Sequence, residues 1–562
     1  MTERPASSLC EAFQRTAAAH ADAVALRTAG GGVEIPWREY ARRVERIAGG
    51  LEALGVQRGE AVGLMMVNRP EFHLADTAAL HLGATPFSIY NTSAPEQVAY
   101  LFGSAGNRVV LCDEAFAPRV LEAKADTGVE HVVCVDGRPD GTISLDELEA
   151  ARRPDFDAEA FEARWREVDG SDVATLIYTS GTTGPPKGVE LTHANLLAQL
   201  DALLPLTGAP GPGDRAVSFL PAAHVADRVL SHYAGMATGL QVTSLADAKQ
   251  LMQAVVETRP TIFGGVPRVW EKVMAGLQAA GITDPSSLPE EARRAVLAKA
   301  GLDAVRTCVC GAAPIPTEVL DYFIALGLRV QEVWGMSELS AVATINPSDA
   351  IRVGTVGRPL PGVEVALAED GELLCRGPIV MRGYRNQPDK TAETIDGDGW
   401  LHTGDIAEID ADGYVRIVDR KKELLINAAG KNMSPANIEQ KLKAASPLIG
   451  QAVAIGDGRR YNVALLVLDP DAGAAWAASH GLDDASPAAL CRDPGVGAAV
   501  AEAVEAANAR MSRVEQIKRY TILPCDWEPG GDELTPTSKL RRKPIAQKYA
   551  AEIEALYAEG PA

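Results

Sequence analysis

The feature that most constrains the fold of this chain is a set of short runs with no polar face. Ala61-Val62-Gly63-Leu64-Met65-Met66 is wholly apolar, and Arg108-Val109-Val110-Leu111-Cys112 and His131-Val132-Val133-Cys134-Val135 are apolar after their first residue. A strand that is apolar at successive positions is buried on both faces, as in a parallel sheet covered by helices on each side. Between such runs the period changes. Phe72 to Leu82 reads as a helix, closed by Gly83-Ala84-Thr85-Pro86. Val173 to Tyr178 and Val189-Glu190-Leu191 read as two further strands, and Thr192 as the cap of a helix carrying Leu196, Leu197, Leu200 and Leu203. The charged, irregular stretch from Glu147 to Asp172 is expected to link two subdomains. The alternation predicts an α/β protein with parallel-type sheets flanked by helices.

Past residue 354 short strands with glycine turns dominate: Gly362-Val363-Glu364-Val365, Gly371-Glu372-Leu373-Leu374-Cys375 and Gly413-Tyr414-Val415-Arg416-Ile417-Val418. They predict a small β-rich subdomain. From Lys422 the α/β texture returns. At 562 residues the chain exceeds one ordinary core. The expected division is a large N-terminal domain of several subdomains, 1–421, and a smaller α/β C-terminal domain, 422–562.

The net charge of −21 argues against nonspecific nucleic-acid binding. Positive charge is concentrated in the tail, at Arg513, Lys518, Arg519, Lys539, Arg541, Arg542, Lys543 and Lys548. No run of about 18 apolar residues is present, so no transmembrane helix is expected. Glu3, Arg4, Glu11, Arg15 and Asp22 break any signal-peptide core. The eight cysteines are scattered, and Cys308-x-Cys310 has no zinc-ligand spacing. The expectation is a cytoplasmic protein with reduced thiols. Peripheral membrane contact and oligomeric state stay open, because no sequence feature addresses them.

One loop carries chemistry. Tyr178-Thr179-Ser180-Gly181-Thr182-Thr183-Gly184-Pro185-Pro186-Lys187-Gly188 follows the Val173 strand. Its hydroxyls and backbone N–H groups can donate to phosphate oxygens, its glycines allow close approach, and its lysine adds a point charge. A Walker A loop needs glycine where Pro186 stands and Ser or Thr where Gly188 stands, so a P-loop kinase or GTPase is a weak reading.

The segment Thr179–Gly188 resembles the phosphate loop of adenylate-forming enzymes, the superfamily of acyl-CoA synthetases, luciferases and nonribosomal adenylation domains. Four more segments fit that family in order: Gly311-Ala312-Ala313-Pro314, Trp334-Gly335-Met336-Ser337-Glu338, the pair Gly404-Asp405 and Asp419-Arg420, and Pro536-Thr537-Ser538-Lys539-Leu540-Arg541. The similarity spans about residue 30 to 548. Leu220-Pro221-Ala222-Ala223-His224-Val225-Ala226-Asp227-Arg228-Val229, Pro267-Arg268-Val269-Trp270-Glu271-Lys272 and Ser88-Ile89-Tyr90-Asn91-Thr92-Ser93 are similar to the long-chain fatty acyl-CoA synthetases.

The resemblance implies a two-step reaction. A fatty-acid carboxylate attacks the α-phosphate of ATP and releases pyrophosphate; the thiol of coenzyme A then displaces AMP. It implies that Thr179, Ser180, Gly181, Thr182, Thr183, Gly184 and Lys187 hold the β- and γ-phosphates, and that Glu338 with Thr179 ligates Mg2+. Gly311, Ala312, Ala313, Trp334, Gly335, Met336 and Ser337 fall on the adenine side, with Trp334 stacking on the base. Asp405 and Arg420 fall at the ribose. His224 lies beside the carboxylate site, and Lys539 offsets the charge that develops in the first step. Lys422 stands at the hinge about which a mobile C-terminal domain turns, bringing the face near Gly430 to the thiol. Two departures stand out: tryptophan replaces the family's usual tyrosine at 334, and serine its frequent glycine at 538. An aryl or amino acid substrate, a carrier-protein acceptor, and a nucleotide-binding protein without turnover are the alternatives.

Overall fold

The structure is a computed structural model, and it describes residues 5–179, 185–426, 432–535 and 538–558. Its largest sheet has eight strands in the order Gly383–Tyr384, Lys187–Thr192, Val173–Thr179, Thr85–Ser88, Ala61–Met65, Val109–Cys112, His131–Cys134 and Ile143–Ser144. The six strands from Val173–Thr179 onward are parallel. The first two join antiparallel. Every residue of Ala61–Met65 is buried, as its lack of a polar face requires. The helix Pro70–His81 is buried on every side. Its Asp76 accepts from Arg228 at 2.6 Å and is paired with His232 at 2.9 Å. Thr192 caps His193–Leu203 as expected, its hydroxyl accepting from the Asn195 N–H at 3.1 Å.

The stretch 147–172 is not a linker. It holds parts of two helices, Leu145–Ala150 and Ala158–Arg166, whose Leu148, Phe161 and Trp165 join the main core with Trp37 and Tyr40. Phe161 and Trp165 lie one turn apart and make a narrow apolar stripe that the surrounding charge concealed. Asp157 starts the second helix by accepting from the N–H groups of Glu159 and Ala160.

A second sheet runs Ile262–Gly265, Thr307–Cys310, Val330–Trp334 in parallel, then Thr344–Ile345 and Arg358–Pro359 antiparallel. A third joins Arg215–Ser218, Gln241–Ser244, Val24–Thr28 and Glu34–Pro36. The β-rich expectation past 354 holds: Glu364–Leu367, Glu372–Arg376, Leu401–Ile409 and Val415–Arg420 form an antiparallel sheet. Beyond Lys422 lie a two-stranded ribbon, Leu425–Ile426 with Asn432–Met433, and a three-stranded sheet of Ile449–Ile455, Asn462–Leu468 and Ile517–Ile522 flanked by helices.

Among the described residues, the apolar clusters of this last part contain no residue before Leu425, and those of the large part contain none after Val415. Contacts between the two parts include charged pairs. Lys272 meets Asp471 at 2.9 Å, Arg268 meets Asp469, and Arg510 meets Glu318. Cys308 and Cys310 are buried free thiols. Among the described residues no helix is long and apolar enough to cross a membrane.

Candidate active site

Thr179, Trp334 and Arg420 lie at strand ends, Asp405 lies within a strand, and His224 and Lys539 lie outside strands. Thr179 closes its strand and pairs with Lys187, so the glycine loop joins two antiparallel strands. Ser180, Gly181, Thr182, Thr183 and Gly184 lie outside the described residues, as does Gly430. Lys187 is half-buried, and its Nζ sits 4.0 Å from the ring centroid of Tyr384. Burial lowers its pKa; the Glu338 charge opposes this, and Lys422 and Lys390 add to it. Lys422 is exposed and faces this group from the start of the C-terminal part.

Glu338 is buried in a single turn, Ser337–Leu339, that follows Val330–Trp334. The Tyr384 hydroxyl donates to its Oε1 at 2.8 Å. Gly335 is required there, because a Cβ on it would lie 2.0 Å from the Ala341 carbonyl oxygen. Gly311 follows the neighbouring strand under the same constraint, its Cβ position lying 2.6 Å from Val333 Cγ2. Ala312 next to it has φ 70° and, like Ala313, is exposed. These loops sit at the carboxyl ends of parallel strands, where α/β sheets bind ligands.

Asp405 and Arg420 are cross-strand partners in the β-rich sheet. Arg420 Nε donates to Asp405 Oδ1 at 2.7 Å, and Trp334 Nε1 donates to Oδ2 at 2.9 Å. Tryptophan at 334 therefore does something tyrosine could not do in the same way: its indole N–H ties the strand Val330–Trp334 to the Asp405 carboxylate of the β-rich sheet. Each Asp405 oxygen keeps a second lone pair. Burial raises the Asp405 pKa, against the effect of Arg420, Trp334 and Lys539.

Lys539 reaches the same place from the C-terminal part. Its surface is open to solvent, yet its ammonium stands in a crevice dense with protein atoms. That crowding, followed by the Arg420 charge, lowers its pKa, while Asp405, Glu338 and Glu423 oppose the fall. The preceding Ser538 has φ 60°, the left-handed region that glycine adopts without strain. The departure from glycine at 538 thus keeps the glycine-type backbone. The Thr535 hydroxyl accepts from the Lys539 N–H at 3.0 Å and closes the turn.

His224 is half-buried and caps Val225–Asp227, its Nδ1 accepting from the Ala226 N–H at 3.2 Å. Burial, followed by the Lys539 charge, pushes its pKa down to about 4, so the ring is neutral near pH 7 with its proton on Nε2. Leu220, Ala226, Asp227, Leu230, Gly264 and Val309, among others, line a small cavity of about 30 Å³.

The sequence reading missed two residues. Tyr384 is the contact shared by Glu338 and Lys187. Glu332 lies on the Trp334 strand two residues earlier, hence on the same face, and is buried with its Oε2 unpartnered among the described residues. Burial pushes its pKa up to about 8. The available signal was a glutamate inside the otherwise strand-like Val330-Gln331-Glu332-Val333. Nothing in the sequence marked Tyr384.

The chain belongs to the AMP-binding enzyme family: residues 13–385 match the model of the AMP-binding enzyme, and residues 422–560 that of the AMP-binding enzyme C-terminal domain. It is 52% identical over 457 residues to a protein named putative fatty-acid–CoA ligase fadD11 of Mycobacterium tuberculosis, covering 75% of this chain and 79% of that one. It is 34% identical to the long-chain-fatty-acid–CoA ligase FadD15 of Mycobacterium bovis, covering 93% and 92%. The fold is that of adenylate-forming enzymes. It is similar to the adenylation domain of a carboxylate reductase from Mycobacterium chelonae, with TM-score 0.79, 22% identity and coverage of 99% and 92%. It is also similar to the anthranilate CoA ligase AuaEII in complex with anthranoyl-AMP, with TM-score 0.78, 21% identity and coverage of 98% and 99%.

Proposed function

We propose that the protein is an AMP-forming fatty-acid–CoA ligase acting on long-chain acids in two steps. The relatives that cover most of the chain carry that activity in their names. The observation that carries the reading is the convergence of Lys539, Asp405, Arg420 and Glu338, drawn from both parts of the chain, around one crevice.

In the first step Lys539 stands where a cation offsets charge shared between the attacking carboxylate and the α-phosphate. Crowding lowers its pKa and the negative charge of bound substrates would oppose that fall, so binding and protonation support each other. Lys187 and the loop hydroxyls hold the departing pyrophosphate. Asp405, fixed by Arg420 and Trp334, accepts from the ribose hydroxyls, and Glu332 offers its unpartnered Oε2 on the Trp334 face. His224 orients the acid as a neutral N–H donor.

Mg2+ fits the residues present. Glu338 offers a buried carboxylate with only Oε1 engaged among the described residues, next to the Thr179 loop. Among the described residues no group of three or more His, Cys, Asp or Glu could hold a metal ion, which suits an ion held by one carboxylate, phosphates and water. Bound there, the ion neutralises phosphate charge. The boundary falls at 421/422, and Lys422 is the pivot on which the C-terminal part turns to admit the coenzyme A thiol. The site lies in a cytoplasmic protein on this reading.

The test is incubation with ATP, Mg2+, coenzyme A and fatty, aryl and amino acids, with product identification. AMP and pyrophosphate with a fatty acid are expected. ADP and phosphate would overturn the mechanism, and turnover restricted to an aryl or amino acid would overturn the substrate.

A further inference from the structure

Lys187 and Glu338 are opposite charges within each other's field, yet they form no ion pair. Among the described residues neither appears in any salt bridge. Left alone, such a pair closes, because partial burial strengthens the attraction. A closed pair would leave neither group for an incoming charge.

Tyr384 lies between them. Its ring face takes the Lys187 ammonium at 4.0 Å, and its hydroxyl donates to Glu338 Oε1 at 2.8 Å. The side chain is buried and its backbone is pinned on both sides. Tyr384 pairs with Val189 on the strand that follows the glycine loop, and the Arg385 N–H donates to the Gly188 carbonyl at 2.8 Å. On the other side the Met381 N–H donates to the Glu338 carbonyl at 2.9 Å. The Thr391 hydroxyl accepts from the Tyr384 N–H at 2.9 Å. The residue is therefore held by the same elements that carry the two charges.

We propose that Tyr384 is a positioning residue, a spacer that holds the Lys187 cation and the Glu338 carboxylate apart so that one stays available to phosphate and the other to a divalent ion. Each charge keeps a partner weak enough to be displaced or shared: a ring face for the cation, one hydroxyl for the carboxylate. The inference rests on the proposed role of Glu338 toward the metal.

The test is equilibrium binding of Mn2+, read by electron paramagnetic resonance, in the presence of a non-hydrolysable ATP analogue. Binding of the analogue without metal is measured separately by calorimetry. Glu338→Gln comes first; unchanged Mn2+ affinity in that variant would remove the Glu338 assignment and not the spacer alone. Tyr384→Phe keeps the ring and loses the hydroxyl. It should weaken Mn2+ binding about tenfold, the effect of one hydrogen bond to a charged group, and leave metal-free analogue binding within about twofold. Tyr384→Leu removes both contacts and should weaken both affinities as Lys187 and Glu338 pair. In a titration of Mn2+ without nucleotide, where the phosphate role of Lys187 does not enter, adding Lys187→Gln to Tyr384→Leu should restore Mn2+ affinity to near the Tyr384→Phe level, which a general loosening of structure would not do. Unchanged Mn2+ affinity in Tyr384→Phe, with Glu338→Gln impaired, overturns the proposal; so does failure of Lys187→Gln to restore it.

Discussion

Replacing Asp227 by Asn tests whether burial in the wall of a small cavity holds a carboxyl protonated up to about pH 7. Asp227 is 2% exposed. The Ser218 hydroxyl donates to its Oδ2 at 2.9 Å, and Ser231 lies at 3.5 Å from Oδ1. The adjacent Arg228 does not neutralise it directly, because its guanidinium is committed to Asp76, Tyr233, Ser88 and the Ala222 carbonyl. Burial therefore dominates and pushes the Asp227 pKa from 3.8 up to about 7. A carboxyl whose pKa is raised by folding favours the native state fully below its unfolded pKa, and that stability is lost as pH rises through the folded value. About three pKa units correspond to about 4 kcal/mol lost by pH 8, of which roughly 2 kcal/mol is already lost at pH 5. Asn keeps the acceptor for Ser218 and has no charge to bury. Its stability relative to the wild type should therefore grow by about 2 to 3 kcal/mol between pH 5 and pH 8. Denaturant unfolding followed by tryptophan fluorescence at pH 5, 6, 7 and 8 measures this gap directly, since groups that titrate alike in both proteins cancel. A gap that stays constant across the series would refute the reasoning.

Lys539→Ala should slow ATP–pyrophosphate exchange by about 100-fold or more, with much less effect on thiol transfer from a supplied acyl adenylate. An unchanged exchange rate would remove the lysine from the first step. Gly264 lines the same small cavity, and a Cβ there would meet Val309 Cγ2 at 2.5 Å. Gly264→Val should therefore overpack the sheet and cost roughly 1–3 kcal/mol of stability, read by denaturant unfolding; an unchanged midpoint would refute the clash. Glu332→Ala should raise the KM for ATP several-fold and leave that for the acid unchanged, because the orphaned oxygen lies on the Trp334 face. A parallel rise in both constants would point to loss of folding instead.

The parts of the fold that were legible in the sequence were those set by local rules. Runs without a polar face had to be inner parallel strands, and Thr192 had to cap because a hydroxyl before an apolar helix satisfies an otherwise free N–H. The segment 147–172 misled because its helices contribute only a narrow apolar stripe amid charge. The site was legible as an ordered set of segments. Its working contacts were not, since each joins residues far apart in the chain. The Trp334–Asp405 hydrogen bond spans 71 positions, and the Tyr384–Glu338 bond spans 46.

The sequence by itself determined the α/β class, the strand-to-strand placement of the glycine loop, and which charged residues were candidates for the chemistry. These follow from period, turn chemistry and residue type, which are local. Only the tertiary structure decided that Trp334 holds Asp405, that Glu332 is buried with a spare oxygen, that Asp227 is buried without a cation of its own, and that Tyr384 stands between Lys187 and Glu338. Burial and charge pairing depend on what the rest of the chain brings close, and no local pattern encodes that distance.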